Sequence, residues 1–201
     1  MIIWLNGGFG AGKSTLAEAL HRRLPEAIVY DPEDVGTMLW KWVPRNEDFQ
    51  DLASWRELAV HTALSLRRHH ADILIVPMSL VRDAYRDEIL GGLAAAGERL
   101  LHVFLDADVA VLQERLLSRG STEQHRGVIR KWAFSRLDPE AAGRQPDGTL
   151  LLRSDRLAPG QLADAVLAAV GDVKDSRPRN DPSTPSTIAL SDRTTRKGSS
   201  N

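Results

Sequence analysis

The chain has 201 residues, 42% of them hydrophobic and 26% charged, with 26 Lys and Arg against 27 Asp and Glu for a net charge of −1. This is ordinary globular composition with length for one domain and some residues over, and the near-neutral balance gives no support to general nucleic-acid or anionic-membrane binding. The absence of cysteine excludes disulfides, thiolate metal sites and cysteine nucleophiles, and no apolar run approaches the roughly 20 residues of a membrane-spanning helix.

In chain order, Met1–Leu5 is a short apolar run that stops at Asn6-Gly7-Gly8, without the basic and apolar regions of a signal peptide, so a cytoplasmic location is expected. Ser14–Leu24 carries Leu16, Ala17, Leu20 and Leu24 at helical spacing, and Pro25 follows. Ala27–Tyr30 is a second apolar run; Asp31-Pro32 then has the cap and first-turn residues of a helix start. Leu52–His70 predicts a helix, Ile73–Val76 a strand buried on both faces, and Tyr85–Ala96 a helix ended by Gly97. Leu100–Leu105 is the fourth run, Asp108–Arg119 a helix ended by Gly120, Val128–Leu137 a shorter helix, Thr149–Leu152 the fifth run, and Pro159–Val170 the closing helix. Short strands alternating with helices predict parallel βαβ units and a three-layer α/β/α domain over residues 1–171.

Residues 172–201 differ: Ser, Thr, Pro, Asp and Arg dominate, and Val173, Ile188, Ala189 and Leu190 are the apolar exceptions. Such a segment buries too little to offset its ordering entropy and is expected to be a disordered tail. Six Lys and Arg against four Asp give it a charge of +2, leaving −3 on the body. A dispensable terminus is the simple reading; a weak peripheral membrane or partner contact is the alternative.

Gly7-Gly8-Phe9-Gly10-Ala11-Gly12-Lys13-Ser14 fits G-x-x-x-x-G-K-[ST] and lies between a strand and a helix, with Thr15 next in the helix. Glycines let successive N–H groups turn inward as a nest for phosphate, and the helix N-terminus adds partial positive charge. The motif predicts ATP on this loop, Lys13 on the β- and γ-phosphates, and the Ser14 hydroxyl on Mg²⁺.

The strings MIIWLNGGFGAGKSTLAEALHRRL, YDPEDVG, WVP and ILIVPMSLV resemble the tunicamycin-resistance protein family from Met1 to about Val170. More widely, the pattern is similar to nucleoside monophosphate kinases and small-molecule kinases. The resemblance implies a doubly wound, five-stranded parallel sheet of order 2-3-1-4-5, ATP on the P-loop, and a role in antibiotic resistance. Phosphorylating the antibiotic and simply binding it both fit, as does a metabolic small-molecule kinase. Where the third strand ends, Pro77 replaces the Walker B Asp of the general pattern, which leaves Asp31, Asp106 or Ser14 with phosphates and water to hold Mg²⁺.

Asp31 follows the second strand at the carboxyl end of the sheet, where ligands bind. Kinases of this type place an acidic residue here to take the acceptor's proton; Asp31 could equally be only a helix cap. Glu33 is expected to face solvent. Arg115 and Arg119 lie four apart on one helix, in a string similar to the lead into the lid of monophosphate kinases. The resemblance implies nucleotide and phosphoryl contacts for them, with Gly120–Gly127 as the lid. Trp40, Trp42 and Trp55 concentrate aromatic surface in the acceptor-binding region, where flat rings could take a base, a sugar face or an acyl chain. Arg56 and Arg82 are candidates for holding an anionic acceptor group. No His spacing suggests a metal site, and the sequence sets no oligomeric state.

Overall fold

The strand β1 (Ile2–Gly7) runs down the middle of a five-stranded, all-parallel sheet and is buried along its whole length. The structure, a computed structural model, describes residues 1–118 and 131–175, with side chains as far as residue 171. The other strands are β2 (Ile28–Val29), β3 (Leu74–Pro77), β4 (Leu100–Asp106) and β5 (Leu150–Arg153), in the order β2-β3-β1-β4-β5 that the family resemblance implies. Between them lie α1 (Lys13–His21), α2 (Glu33–Leu39), α3 (Ala53–His69), α4 (Asp83–Ala95), α5 (Val109–Ser118) and α6 (Pro159–Asp175). Residues 131–134 form a further helical turn.

Alternation along β1 builds both cores. Ile3 and Leu5 join Leu16, Leu20, Val103, Leu162 and Val166 on the α1–α6 side. Ile2 and Trp4 join Trp55, Ala59, Ile89 and Leu93 on the α3–α4 side. The Trp4 indole is fully buried, and its N–H donates to the Met78 carbonyl, so the ring adds apolar area without an orphaned donor. Gly36 on α2 lets the Phe49 ring approach so closely that a Cβ would meet it at 2.5 Å.

The register Leu5↔Pro77, Leu5↔Val103 and Gly7↔Leu105 sets the carboxyl ends of β3, β1 and β4 side by side, which is where loops of such sheets carry ligands. Pro77 ends β3. The closing helix runs to Asp175 rather than Val170, so the segment expected to be a disordered tail from residue 172 begins as helix; the rest of it lies outside the described residues. Among the described residues no helix is long and apolar enough to cross a membrane.

A buried polar bridge links β1 to β4. His102 of β4 is 3.4 Å from the Asn6 amide through Nε2 and 3.1 Å from the Thr149 hydroxyl through Nδ1. The Asn6 amide donates to Nε2, so the ring proton resides on Nδ1 and the imidazole is neutral. Burial lowers its pKa from 6.5 to about 4, with Arg86 pushing in the same direction. A histidine depressed in this way contributes stability in full above the unfolded value and loses it as pH falls toward the folded one. His102→Gln is therefore expected to flatten the loss of stability between pH 6.5 and 4 by up to about 3 kcal/mol, measured by urea unfolding. An unchanged slope would show that His102 titrates alike in both states.

Candidate active site

The phosphate-loop motif turns where β1 ends. Gly7 has φ 140°, and a Cβ there would lie 2.6 Å from the Leu105 carbonyl oxygen, so both backbone angle and space require glycine. Gly12, at φ 93°, is the cap position of α1 and has no side chain to occupy the helix's first N–H groups. The Lys13 ammonium donates to the carbonyls of Gly7 at 3.0 Å and Gly8 at 2.9 Å and lies 5.8 Å from the centre of the Phe9 ring. It thus arches back over the loop. Ser14 and Thr15 are exposed in the first turn of α1, with Ala11 buried beneath them.

Arg115 closes one side of the loop. Its guanidinium donates to the carbonyls of Gly10 at 3.4 Å and Ser154 at 2.8 Å. A cleft of about 260 Å³ opens there, bounded by Gly10, Gly12, Thr15, Arg115, Ser154 and Pro159. Arg119 and the expected lid, Gly120–Gly127, lie outside the described residues. Asp106 ends β4 with Arg153 3.8 Å away, and Arg153 also pairs with Asp108 and Asp155.

On the other side, Asp31 does act as a cap: its Oδ1 accepts the Glu33 N–H at 2.9 Å. Partial burial raises its pKa, the Glu33 N–H lowers it, and Asp34 raises it. Glu33, expected simply to face solvent, is exposed but also electrostatically tied to the loop. Burial and then Asp31 raise its pKa, while the Lys13 ammonium pulls it back down. This Glu33–Lys13 relation was not legible locally; the one clue was the two-residue spacing that lets Asp31 pin the Glu33 backbone.

The three tryptophans separate. Trp55 corrects the expectation of a ligand-facing ring: it is fully buried, donates to the Pro32 carbonyl at 2.9 Å and packs 5.1 Å from Phe49, because α3 turns it toward the core. Trp40 is half-buried, donates to Asn46 Oδ1 at 3.0 Å and has Arg45 4.8 Å above its ring. Trp42 is 71% exposed. Arg56 is taken up within the fold, donating to Glu88 at 2.6 Å and to the Gln50 carbonyl at 2.7 Å and lying 4.2 Å over Tyr85. Arg82 stands more open, paired with Asp51 at 2.8 Å beside the same Tyr85.

The structure adds a second aromatic group. Phe9 of the loop packs 4.8 Å from Trp132, Arg136 lies 4.0 Å over that indole, and Arg136 reaches the buried Asp48 at 3.5 Å. Trp132 and Arg136 are four apart, the helical spacing that could have signalled a shared face; Asp48 gave no signal. Among the described residues no group of three His, Cys, Asp or Glu could hold a metal. The exposed Ser14 hydroxyl could serve as an oxygen ligand to Mg²⁺.

Residues 2–136 match the AAA domain family. The adenylyl-sulfate kinase of Paraburkholderia xenovorans is 31% identical over 176 residues, 83% of this chain and 90% of that protein. Among solved structures, the Deinococcus radiodurans tunicamycin resistance protein superposes with a TM-score of 0.67 at 32% identity, covering 85% of this chain and 95% of that one. The Mycobacterium tuberculosis APS kinase in complex with AMPPNP and APS gives a TM-score of 0.63 at 21% identity over 87% and 97%, a likeness of fold.

The backbone at Gly7 supplies a direct check on this geometry. Gly7→Ala is expected to lower the thermal midpoint by about 2 to 10 °C, since strained φ costs of order 1–3 kcal/mol and the carbonyl of Leu105 must shift as well. An unchanged midpoint would show that the loop does not hold the shape described.

Proposed function

The chain belongs to the AAA domain family of P-loop proteins, and from that footing we propose that it is an ATP-dependent phosphotransferase acting on the hydroxyl of a small molecule. The observation that carries this is the loop itself: Lys13 poised on Gly7 and Gly8, Ser14 and Thr15 open, and a cleft alongside. The kinases among its sequence relatives support the reaction class. The likeness to a tunicamycin resistance protein supports a nucleoside antibiotic such as tunicamycin as acceptor, and resistance as the role.

In this reading the nucleoside occupies the cleft between Arg115 and Pro159, and the loop N–H groups take the phosphates. ATP would supply the transferable phosphoryl group, and the Ser14 hydroxyl would hold a Mg²⁺ that offsets its charge. Lys13 leaves the two carbonyls for phosphate oxygens, and Arg115 steadies the loop at Gly10. In this reading Glu33, whose charge is coupled to Lys13, accepts the acceptor's proton, while Asp31 fixes its backbone through one oxygen. Trp40, Trp42 and Arg82 line the acceptor side.

A second reading is sequestration of the drug without chemistry. Its support is Pro77, where a general P-loop enzyme has a carboxylate.

Incubation with Mg-ATP and tunicamycin, followed by mass spectrometry, separates the two. One added phosphoryl group on the drug is the expected result, abolished in Lys13→Ala; drug bound and unchanged supports sequestration. Glu33→Gln is expected to lower kcat by about 10² or more, and Asp31→Asn by less. Because the pKa of Glu33 is raised, its deprotonation, and with it kcat, should come in above the ordinary glutamate range as pH rises. If Asp31→Asn costs more than Glu33→Gln, the proton belongs to Asp31.

A further inference from the structure

The turn that follows β3 is stitched to the phosphate loop by side chains that none of the catalytic assignments uses. The Asn6 side-chain oxygen accepts two N–H groups, from Gly7 at 2.8 Å and from Leu80 at 2.9 Å. The Met78 N–H donates to the Leu5 carbonyl at 3.1 Å. Ser79, only 4% exposed, donates its hydroxyl to the Gly7 carbonyl at 2.9 Å. That carbonyl is one of the two that hold Lys13. Gln50 in turn donates to the Ser79 carbonyl at 2.9 Å and is itself almost wholly buried.

Two donors therefore meet on one buried carbonyl oxygen, one on each of its lone pairs. When Lys13 swings to phosphate, Gly7 C=O loses the ammonium. A buried carbonyl with no donor is costly. Ser79 removes that cost because its hydroxyl stays.

We infer that Ser79 is a positioning residue for nucleotide binding: its hydroxyl keeps the Gly7 carbonyl satisfied and frees Lys13 to reach phosphate. It does so from the turn in which the general P-loop pattern would begin with a carboxylate, two residues beyond Pro77. Through its own carbonyl it also joins Gln50, and so the acceptor-side segment, to the loop. The inference rests on the reading of the loop as a nucleotide phosphate site.

Calorimetric titration of the full chain with Mg-ATP and, separately, with AMP tests it. AMP lacks the β- and γ-phosphates that draw Lys13 away. Ser79→Ala is expected to weaken ATP binding about tenfold, leave AMP binding unchanged, and leave the nucleotide-free thermal midpoint nearly unchanged, because Lys13 still occupies the carbonyl. Ser79→Thr, which keeps the hydroxyl, should restore ATP affinity. If Ser79→Ala folds poorly, Ser79→Cys, of similar size with a weaker donor, should show the same selective loss. Equal losses for ATP and AMP, or no loss for ATP, would overturn the inference while leaving the phosphotransferase reading intact. A wild-type chain that binds no ATP would overturn both.

Discussion

At the end of β1 the backbone turns at φ 140° at Gly7, where a Cβ would lie 2.6 Å from the Leu105 carbonyl oxygen. Only glycine meets that condition, and the site depends on it. The parallel register of β1 against β4 brings Leu105 to this point, and past the turn the Ala11 N–H closes the loop back onto the Gly8 carbonyl. The same turn leaves the Gly7 and Gly8 carbonyls facing the Lys13 ammonium, which donates to both.

Burial on both sides of β1 makes this turn rigid. Ile3 and Leu5 bind the strand to α1 and α6, Ile2 and Trp4 to α3 and α4, and Asn6 continues the strand's polar edge into the turn after β3. The hydrophobic layers thus do for the phosphate loop what a dedicated polar scaffold would otherwise have to do. The acceptor side is built differently. Trp40, Asn46, Asp48 and Gln50 are joined by side-chain and backbone hydrogen bonds and reach the loop through Ser79.

The parts of this arrangement that follow from near neighbours in the chain could be read in advance. The alternation of strands and helices, the loop motif and the cap at Asp31 are local patterns, and the strand order followed from the resemblance those residues carry. What could not be read depends on distant partners. The aromatic excess between residues 40 and 55 suggested a pocket, yet Trp55 is core, because the same ring chemistry serves either purpose and only the direction of α3 decides. Ser79 and Gly7 are 72 positions apart, and nothing in the VPMSL string marks the serine as a loop partner. Glu33 likewise acquires its meaning only when β1 and β2 set their following loops on the same end of the sheet.

If the loop is a phosphate site, its lysine exchanges the Gly7 and Gly8 carbonyls for phosphate oxygens. A crystal structure of the chain with Mg²⁺ and a non-hydrolysable ATP analogue tests it most directly. The Lys13 ammonium is expected on the β- and γ-phosphate oxygens, with the Gly7 carbonyl retained by Ser79. An analogue bound elsewhere, with Lys13 still on Gly7 and Gly8, would contradict it.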